Sequence, residues 1–232
     1  MRADTLALFD IDATMLVTNR AGVRAMIETG QEMVGPGFHA EGVSFAGNID
    51  PLLVEELLIR NGAEAHDGAI DEFRARYAKR LENLLPETGA RALPGVAPLL
   101  DALEREEGVV LGVLTGNYPE TGAMKLRAAG IDPSRFKVCV WGCDSPHRPA
   151  RRTHLPAVAL ERCARDVRAI GAERVVIIGD TPHDVACAKE IGGRALGVAT
   201  GSFSTAQLSE AGADLAVETL SETIVLASWM VG

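Results

Sequence analysis

The chain has 232 residues, 47% of them apolar, with a mean hydropathy of +0.10. That is enough for one good-sized folded domain, or a domain with a smaller insertion, and too apolar for a disordered chain. The net charge is −9 and there is no long basic run, which argues against nucleic acid and anionic membranes as partners.

The opening stretch "MRADTLALFD" has no secretory pattern, because its short apolar run leads straight into two aspartates. "LALFDI" (6–11) reads as a strand buried on both faces, and it delivers Asp10 and Asp12 to its tip. No convincing strand follows over 15–93. That segment reads as helices at roughly 19–34, 50–61 and 67–85. In the last of these, Ile70, Phe73, Tyr77, Leu81 and Leu84 form one helical stripe, the pattern of core packing. "RALPGV" (91–96) then suits a linker.

From there strands and helices alternate. The strands are "VVLGVLT" (109–115), "KVCVW" (137–141), "RVVIIGD" (174–180) and "ALGVAT" (195–200). The helices are 96–106, 119–130, 155–167 and 183–192. Continuous apolar strands alternating with helices predict an α/β fold, a doubly wound, Rossmann-like parallel sheet. An all-helical module is inserted after the first strand. The expected division is a catalytic core of 1–14 and 94–232 and a helical cap of 15–93. "TIVLASWMVG" near the end is too short to span a bilayer. Cys139, Cys143, Cys163 and Cys187 form no C-x-x-C pair and read as reduced thiols of a cytoplasmic protein.

In open parallel sheets a ligand binds beyond the carboxyl ends of the strands. Those ends carry Asp10 and Asp12; Thr115 followed by Gly116 and Asn117; and Asp180 with Asp184 four residues on. One such Asp is commonly a turn or helix cap, but three strand ends converging form a site. Clustered carboxylates need a cation to stay ionised, and a hard cation with oxygen ligands, Mg²⁺, fits them. A metal, a hydroxyl and backbone amides around one carboxylate suit phosphoryl transfer. One carboxylate attacks phosphorus, and the second protonates the leaving oxygen and then activates water.

With those residues in order, the sequence resembles the haloacid dehalogenase superfamily over essentially its whole length, in particular the phosphatase branch with a helical cap. "DIDAT" is similar to its first motif, which implies Asp10 as nucleophile, Asp12 as general acid and base, and the Asp12 backbone carbonyl as a metal ligand. "VLTGN" resembles the second, implying Thr115, with Gly116 and Asn117, as phosphate and substrate ligands. "IGDTPHD" resembles the fourth, implying Asp180 and Asp184 as metal ligands alongside Asp10.

Two positions depart from the pattern. Ala13 stands where the family has Gly, and its small Cβ is expected to be tolerated on a backbone that is not left-handed. The third motif normally supplies a lysine, whereas "DSPHRPARRTHLPAVAL" holds only Arg148, Arg151 and Arg152 as its arginine or lysine cations. Spacing to the following helix favours Arg152 for the lysine's catalytic and substrate-binding place, while Arg148 and Arg151 read as solvated. His147, His154 and His183 are not needed for proton transfer, since the carboxylate pair covers it, and His183 reads as a loop or helix-start residue. Lys125, in "GAMKLRAAG", reads as a helix-face or structural residue.

Asp12 also separates the reactions hosted by the family. Halide departure needs no proton, and the family's dehalogenases and phosphonate hydrolases lack this second acid. The resemblance therefore implies a Mg²⁺-dependent phosphomonoesterase with an aspartyl-phosphate intermediate, acting on a small phosphorylated metabolite as a monomer or homodimer. A phosphomutase, a dehalogenase or a non-catalytic binding protein on the same fold are the alternatives. "FAGNIDPLLVEELL" (45–58) resembles the cap specificity segment of the phosphoglycolate-phosphatase-like group, with Gly47 and Asp50 in place. Asn48 replaces that group's basic substrate-binding residue.

Overall fold

The computed structural model describes residues 4–232. β1 (Thr5–Phe9) is followed by a two-residue strand, β2 (Leu16–Val17), and three helices, α1 (Ala21–Met33), α2 (Asp50–Arg60) and α3 (Asp67–Thr88). β3 (Arg91–Ala92) then leads back through α4 (Val96–Arg105), β4 (Val109–Leu114), α5 (Pro119–Ala128), β5 (Val138–Val140) and α6 (Leu155–Asp166). The chain finishes with β6 (Val175–Gly179), α7 (Pro182–Glu190), β7 (Arg194–Val198), α8 (Thr205–Glu210), β8 (Leu215–Val217) and α9 (Thr223–Val231).

Six strands form one parallel sheet in the order β5-β4-β1-β6-β7-β8. β1 and β6 are buried along their whole length, as their uninterrupted apolar sequences require. Successive β1 side chains serve opposite faces. Ala7 and Phe9 pack with Leu99, Leu103, Leu226 and Met230 of α4 and α9. Leu6 and Leu8 pack with Leu155, Ala159, Val185 and Ala188 of α6 and α7. Each such buried leucine contributes roughly 1.5–3 kcal/mol.

Register sets up the site. Phe9 lies opposite Val113 of β4 and Ile178 of β6. The three strands therefore end nearly flush, with Asp10, Thr115 and Asp180 following their last residues.

α1, α2 and α3 share a separate apolar cluster. Met26, Val54, Leu57, Phe73, Tyr77 and Leu81 belong to it, and Tyr118 from the sheet side joins it. Four of the five stripe residues on α3 are buried; Ile70 is only partly so. The absence of strands expected over 15–93 is corrected at both ends. Leu16 pairs antiparallel with Ala92, and Val17 with Arg91, so a two-residue ribbon joins the outgoing and returning chains. β8, α8 and α9 also went unexpected. The last is the "TIVLASWMVG" segment, whose Leu226 and Met230 close one face of the sheet. Among the described residues no helix is long and apolar enough to cross a membrane.

Candidate active site

Asp10 follows β1 and is nearly buried, its amide bonded to the Ile178 carbonyl (2.9 Å). Ala13 follows in a left-handed conformation (φ 58°), so the condition under which its Cβ was expected to be tolerated is not met. Its amide donates to the Leu16 carbonyl (2.8 Å), and the Thr200 hydroxyl donates to its own carbonyl. These contacts bend the chain away from the sheet, with the alanine Cβ strained by about 1–2 kcal/mol. Thr14, fully buried, donates to Asp180 Oδ1 (3.3 Å) and ties the turn to β6.

Asp180 and Asp184 come from β6 and the first turn of α7. The Asp184 Oδ2 accepts from the Thr181 amide (3.1 Å) and hydroxyl (2.7 Å), a reciprocal helix cap. Its other oxygen accepts from Arg152 Nη2 (2.6 Å), so one carboxylate serves both as cap and as site residue. Ligand oxygens of Asp10, Asp180 and Asp184 lie within 4.8 Å of one another. Gly201 leaves room for them, because a Cβ there would fall 1.8 Å from Asp180 Oδ2.

Burial and mutual repulsion act on this cluster. Burial pushes the Asp10 carboxyl up to about 6 against the pull of Arg152, and Asp184 and Asp12 add to the rise. Burial, with Asp10 and Asp184, pushes Asp180 up to about 8. Three buried carboxylates this close need more positive charge than one arginine to remain ionised. The donor set, all hard oxygens, fits a magnesium-like cation.

Of the three arginines, Arg152 is the one buried beside the acids. It is 7% exposed, lies in the short turn before α6, and places Nη2 3.0 Å from Asp10 Oδ1 as well as against Asp184. Nη1 reaches the Asn48 carbonyl (3.5 Å), a bond that a lysine has no second nitrogen to make. Arg148 and Arg151 are exposed, and Arg148 pairs loosely with Asp67 (3.8 Å). His147 and His154 stack edge to face, His154 bonds Ser145, and neither lines the cavity. His183 is the second residue of α7; its exposed ring packs where a Cβ on Gly47 would stand 2.3 Å away.

Thr115 and Asn117 are both buried, and Asn117 Nδ2 donates to Thr115 Oγ1 (2.9 Å) and to Asp12 Oδ2 (2.8 Å). Gly116 allows a close crossing, since its carbonyl accepts from the Asp50 amide (2.7 Å) and a Cβ would meet the Asn48 oxygen at 2.0 Å. The loop bearing Asn48 thus sits directly on the strand end. The Asn48 side chain itself accepts from the Ile49 amide (2.9 Å).

Of the two readings of Lys125, helix-face or structural, the structure removes the exposed helix face. The residue is 5% exposed, and its Nζ donates to Asp12 Oδ2 (2.7 Å) and Asn117 Oδ1 (2.6 Å). Burial alone would lower the ammonium, but Asp12 and Asp50 hold it above the ordinary lysine value. The signal was present in the sequence: Thr121, Gly122, Lys125 and Leu126 share the buried stripe of α5. Asp50 was also more than a specificity residue. Its buried carboxylate accepts from the Tyr118 amide (3.0 Å) at the start of α5. The Asp12 carboxylate is not a member of the three-acid cluster.

These residues surround a cavity of about 360 Å³. Asp10, Thr115 and Asp180 are part of its lining. Val23, Met26, Phe45 and Leu53, from the helical segment, also line it.

A family model described as haloacid dehalogenase-like hydrolase matches residues 7–198. A protein of Dickeya dadantii named probable phosphatase IndB is 28% identical, over 94% of this chain and 91% of its own length. The phosphoglycolate phosphatase of Rhodospirillum rubrum is 31% identical, over 80% of this chain and 75% of its own. Among solved structures, CbbY from Rhodobacter sphaeroides in complex with phosphate superposes with a TM-score of 0.76 at 21% identity, covering 94% of this chain and 96% of that one.

Proposed function

The chain belongs to the haloacid dehalogenase-like hydrolase family, and on that premise we propose that it is a phosphatase that hydrolyses small phosphomonoesters through an aspartyl phosphate on Asp10. One observation carries the reading: Asp10 is held 3.0 Å from Arg152 and grouped with Asp180 and Asp184, while Asp12, two residues on, keeps a separate hydrogen-bond environment. Two carboxylates in different surroundings suit two different tasks.

In the first step an Asp10 oxygen bonds to phosphorus as the ester P–O bond breaks, and Asp12 gives its proton to the departing oxygen. In the second, Asp12 takes a proton from water, the hydroxyl attacks phosphorus, and the Asp10–phosphorus bond breaks to release inorganic phosphate. Thr115 Oγ1, the backbone amides beside it and the Arg152 guanidinium are the donors available to the phosphoryl oxygens. Asp10, Asp180 and Asp184, with the Asp12 carbonyl, would hold Mg²⁺. When bound, the ion supplies positive charge to the phosphoryl group and to the crowded carboxylates.

Residues 15–93 act in this reading as a cap over a core of 1–14 and 94–232, and shed water from the site when closed. Val23, Met26, Phe45 and Leu53 line the cavity beside Asn19, Arg20 and Asn48, so this segment offers both apolar side chains and a cation to a leaving group. The four cysteines are all unpaired thiols, which suits a cytoplasmic enzyme.

The test is phosphate release from a panel of phosphorylated metabolites and p-nitrophenyl phosphate, with and without Mg²⁺. The parent chain is expected to turn over at least one ester only with the metal, and Asp10→Asn to lose that turnover. Undiminished hydrolysis by Asp10→Asn would sink the mechanism.

A further inference from the structure

We propose that Lys125 is a positioning residue for proton transfer, and that with Asn117 it clamps Asp12 by one oxygen, Oδ2, leaving Oδ1 to carry the proton to the leaving group. The inference rests on the phosphatase reading above and assigns a task to a residue outside its motifs.

Asp12 has a half-exposed side chain on a turn, 43% accessible, with room to swing. Two donors restrain it. Lys125 Nζ approaches Oδ2 to 2.7 Å and Asn117 Nδ2 approaches the same oxygen to 2.8 Å. Among the described residues no bond falls on Oδ1. A carboxyl group gripped this way keeps its proton on the other oxygen, because Oδ2 already accepts two hydrogens.

Lys125 also fixes the second clamp. An ammonium only donates, so the Asn117 carbonyl oxygen must face it, at 2.6 Å. The amide nitrogen is thereby turned toward Asp12 and Thr115 and cannot flip. One buried cation thus orients the acid directly and through its neighbour.

Its placement is supported from the other side. Gly22 of α1 lies against the ammonium, where a Cβ would stand 3.4 Å from Nζ. Burying a lysine for packing alone is unfavourable. Here the long stem crosses from α5 to the one carboxylate that moves a proton.

The effect should depend on how much the leaving oxygen needs that proton. p-Nitrophenolate departs unprotonated, whereas phenolate is a far poorer leaving group. The experiment compares p-nitrophenyl phosphate with phenyl phosphate, two esters of similar shape. Lys125→Met is expected to lower kcat/KM, which reports the steps through departure of the leaving group, about 10- to 100-fold more on phenyl phosphate than on p-nitrophenyl phosphate, a part of the roughly 10²–10⁴ that general-acid catalysis supplies. Lys125→Arg should restore part of the discrimination. Lys125→Gln, which keeps a neutral donor, is read beside it, with thermal melts confirming that each variant folds.

An equal loss of kcat/KM on both esters overturns the inference and makes Lys125 a structural or substrate-binding residue. A parent chain active on both esters with an unchanged ratio in Lys125→Met and Lys125→Gln overturns this inference alone. A parent chain inactive on every ester overturns the phosphatase reading and this inference with it.

Discussion

Ala13 carries a left-handed backbone between the two aspartates and the turn to the cap, and its Cβ is what that geometry penalises. Ala13→Gly is expected to raise stability by about 1 kcal/mol, a rise in Tm of roughly 2–4 °C for a chain of this size, with turnover retained. Thermal melts read it directly. Arg152 presents the opposite case, an unusual residue that the surroundings accommodate. It bridges Asp10, Asp184 and the Asn48 carbonyl. Arg152→Met should lower kcat by roughly 10²–10³, as removing a preorganised cationic donor does. Arg152→Lys should recover part of it by keeping the charge without the contact to Asn48, and steady-state kinetics would separate the two. Both positions were legible as departures from a motif. Which one was strained and which was satisfied depended on a φ angle and on partners at least 32 residues away in sequence, as between Arg152 and Asp184.

At the scale of elements, α5 begins with no side-chain cap of its own, and Asp50 from the start of α2 accepts the Tyr118 amide in that role. Burial pushes the Asp50 carboxyl up to about 6, against the attraction of Lys125. A carboxyl whose folded value is raised from 3.8 adds stability below about pH 4, and that contribution is lost as pH rises through about 6. Asp50→Asn keeps an acceptor for the amide without the charge. Relative to the parent, its Tm should therefore improve between pH 4.5 and 7.5, by a free-energy swing on the order of 2 kcal/mol. A constant difference between the two melting curves would show that folded Asp50 ionises as an ordinary carboxylate does and is charged across that range. Helix boundaries were readable within a few residues wherever an apolar stripe ran for several turns. β2, β3, β8 and α8 are two to six residues long and carry too few side chains for a period to register. Their existence is a product of pairing and packing with distant segments.

For the whole molecule, the helical segment is tied to the sheet by more than its two-residue ribbon. Arg74 of α3 holds Glu120 of α5 through two bonds (2.6 and 2.8 Å) and lies over the Tyr118 ring. These partly exposed contacts are worth on the order of 1 kcal/mol. The acid cluster, by contrast, joins β1, β6 and α7 at the sheet edge, so binding there should stabilise the entire fold. Mg²⁺ at about 100 times its Kd should add about 2.7 kcal/mol, seen as a rise in Tm. Asp180→Asn should abolish that rise while the protein still melts cooperatively. A Tm indifferent to Mg²⁺ in the parent would remove the metal from these residues.

The α/β alternation, the inserted helices and the strand-end acids were determined by the sequence itself, because periodicity and strand order are local or directional properties. Asp10, Thr115 and Asp180 converge because parallel strands that neighbour one another and end together must present their next residues to one edge. The partner of each charge was decided only by tertiary structure. Lys125 looks like any helix-face cation along the chain, and becomes the grip on Asp12 only when α5 is laid beside β1. Arg152 competes with two neighbouring arginines in the sequence, and only the turn before α6 selects which one is buried. The physical reason is the same in both cases: a buried charge is tolerated only where an opposite charge meets it, and that meeting is a property of distance in space.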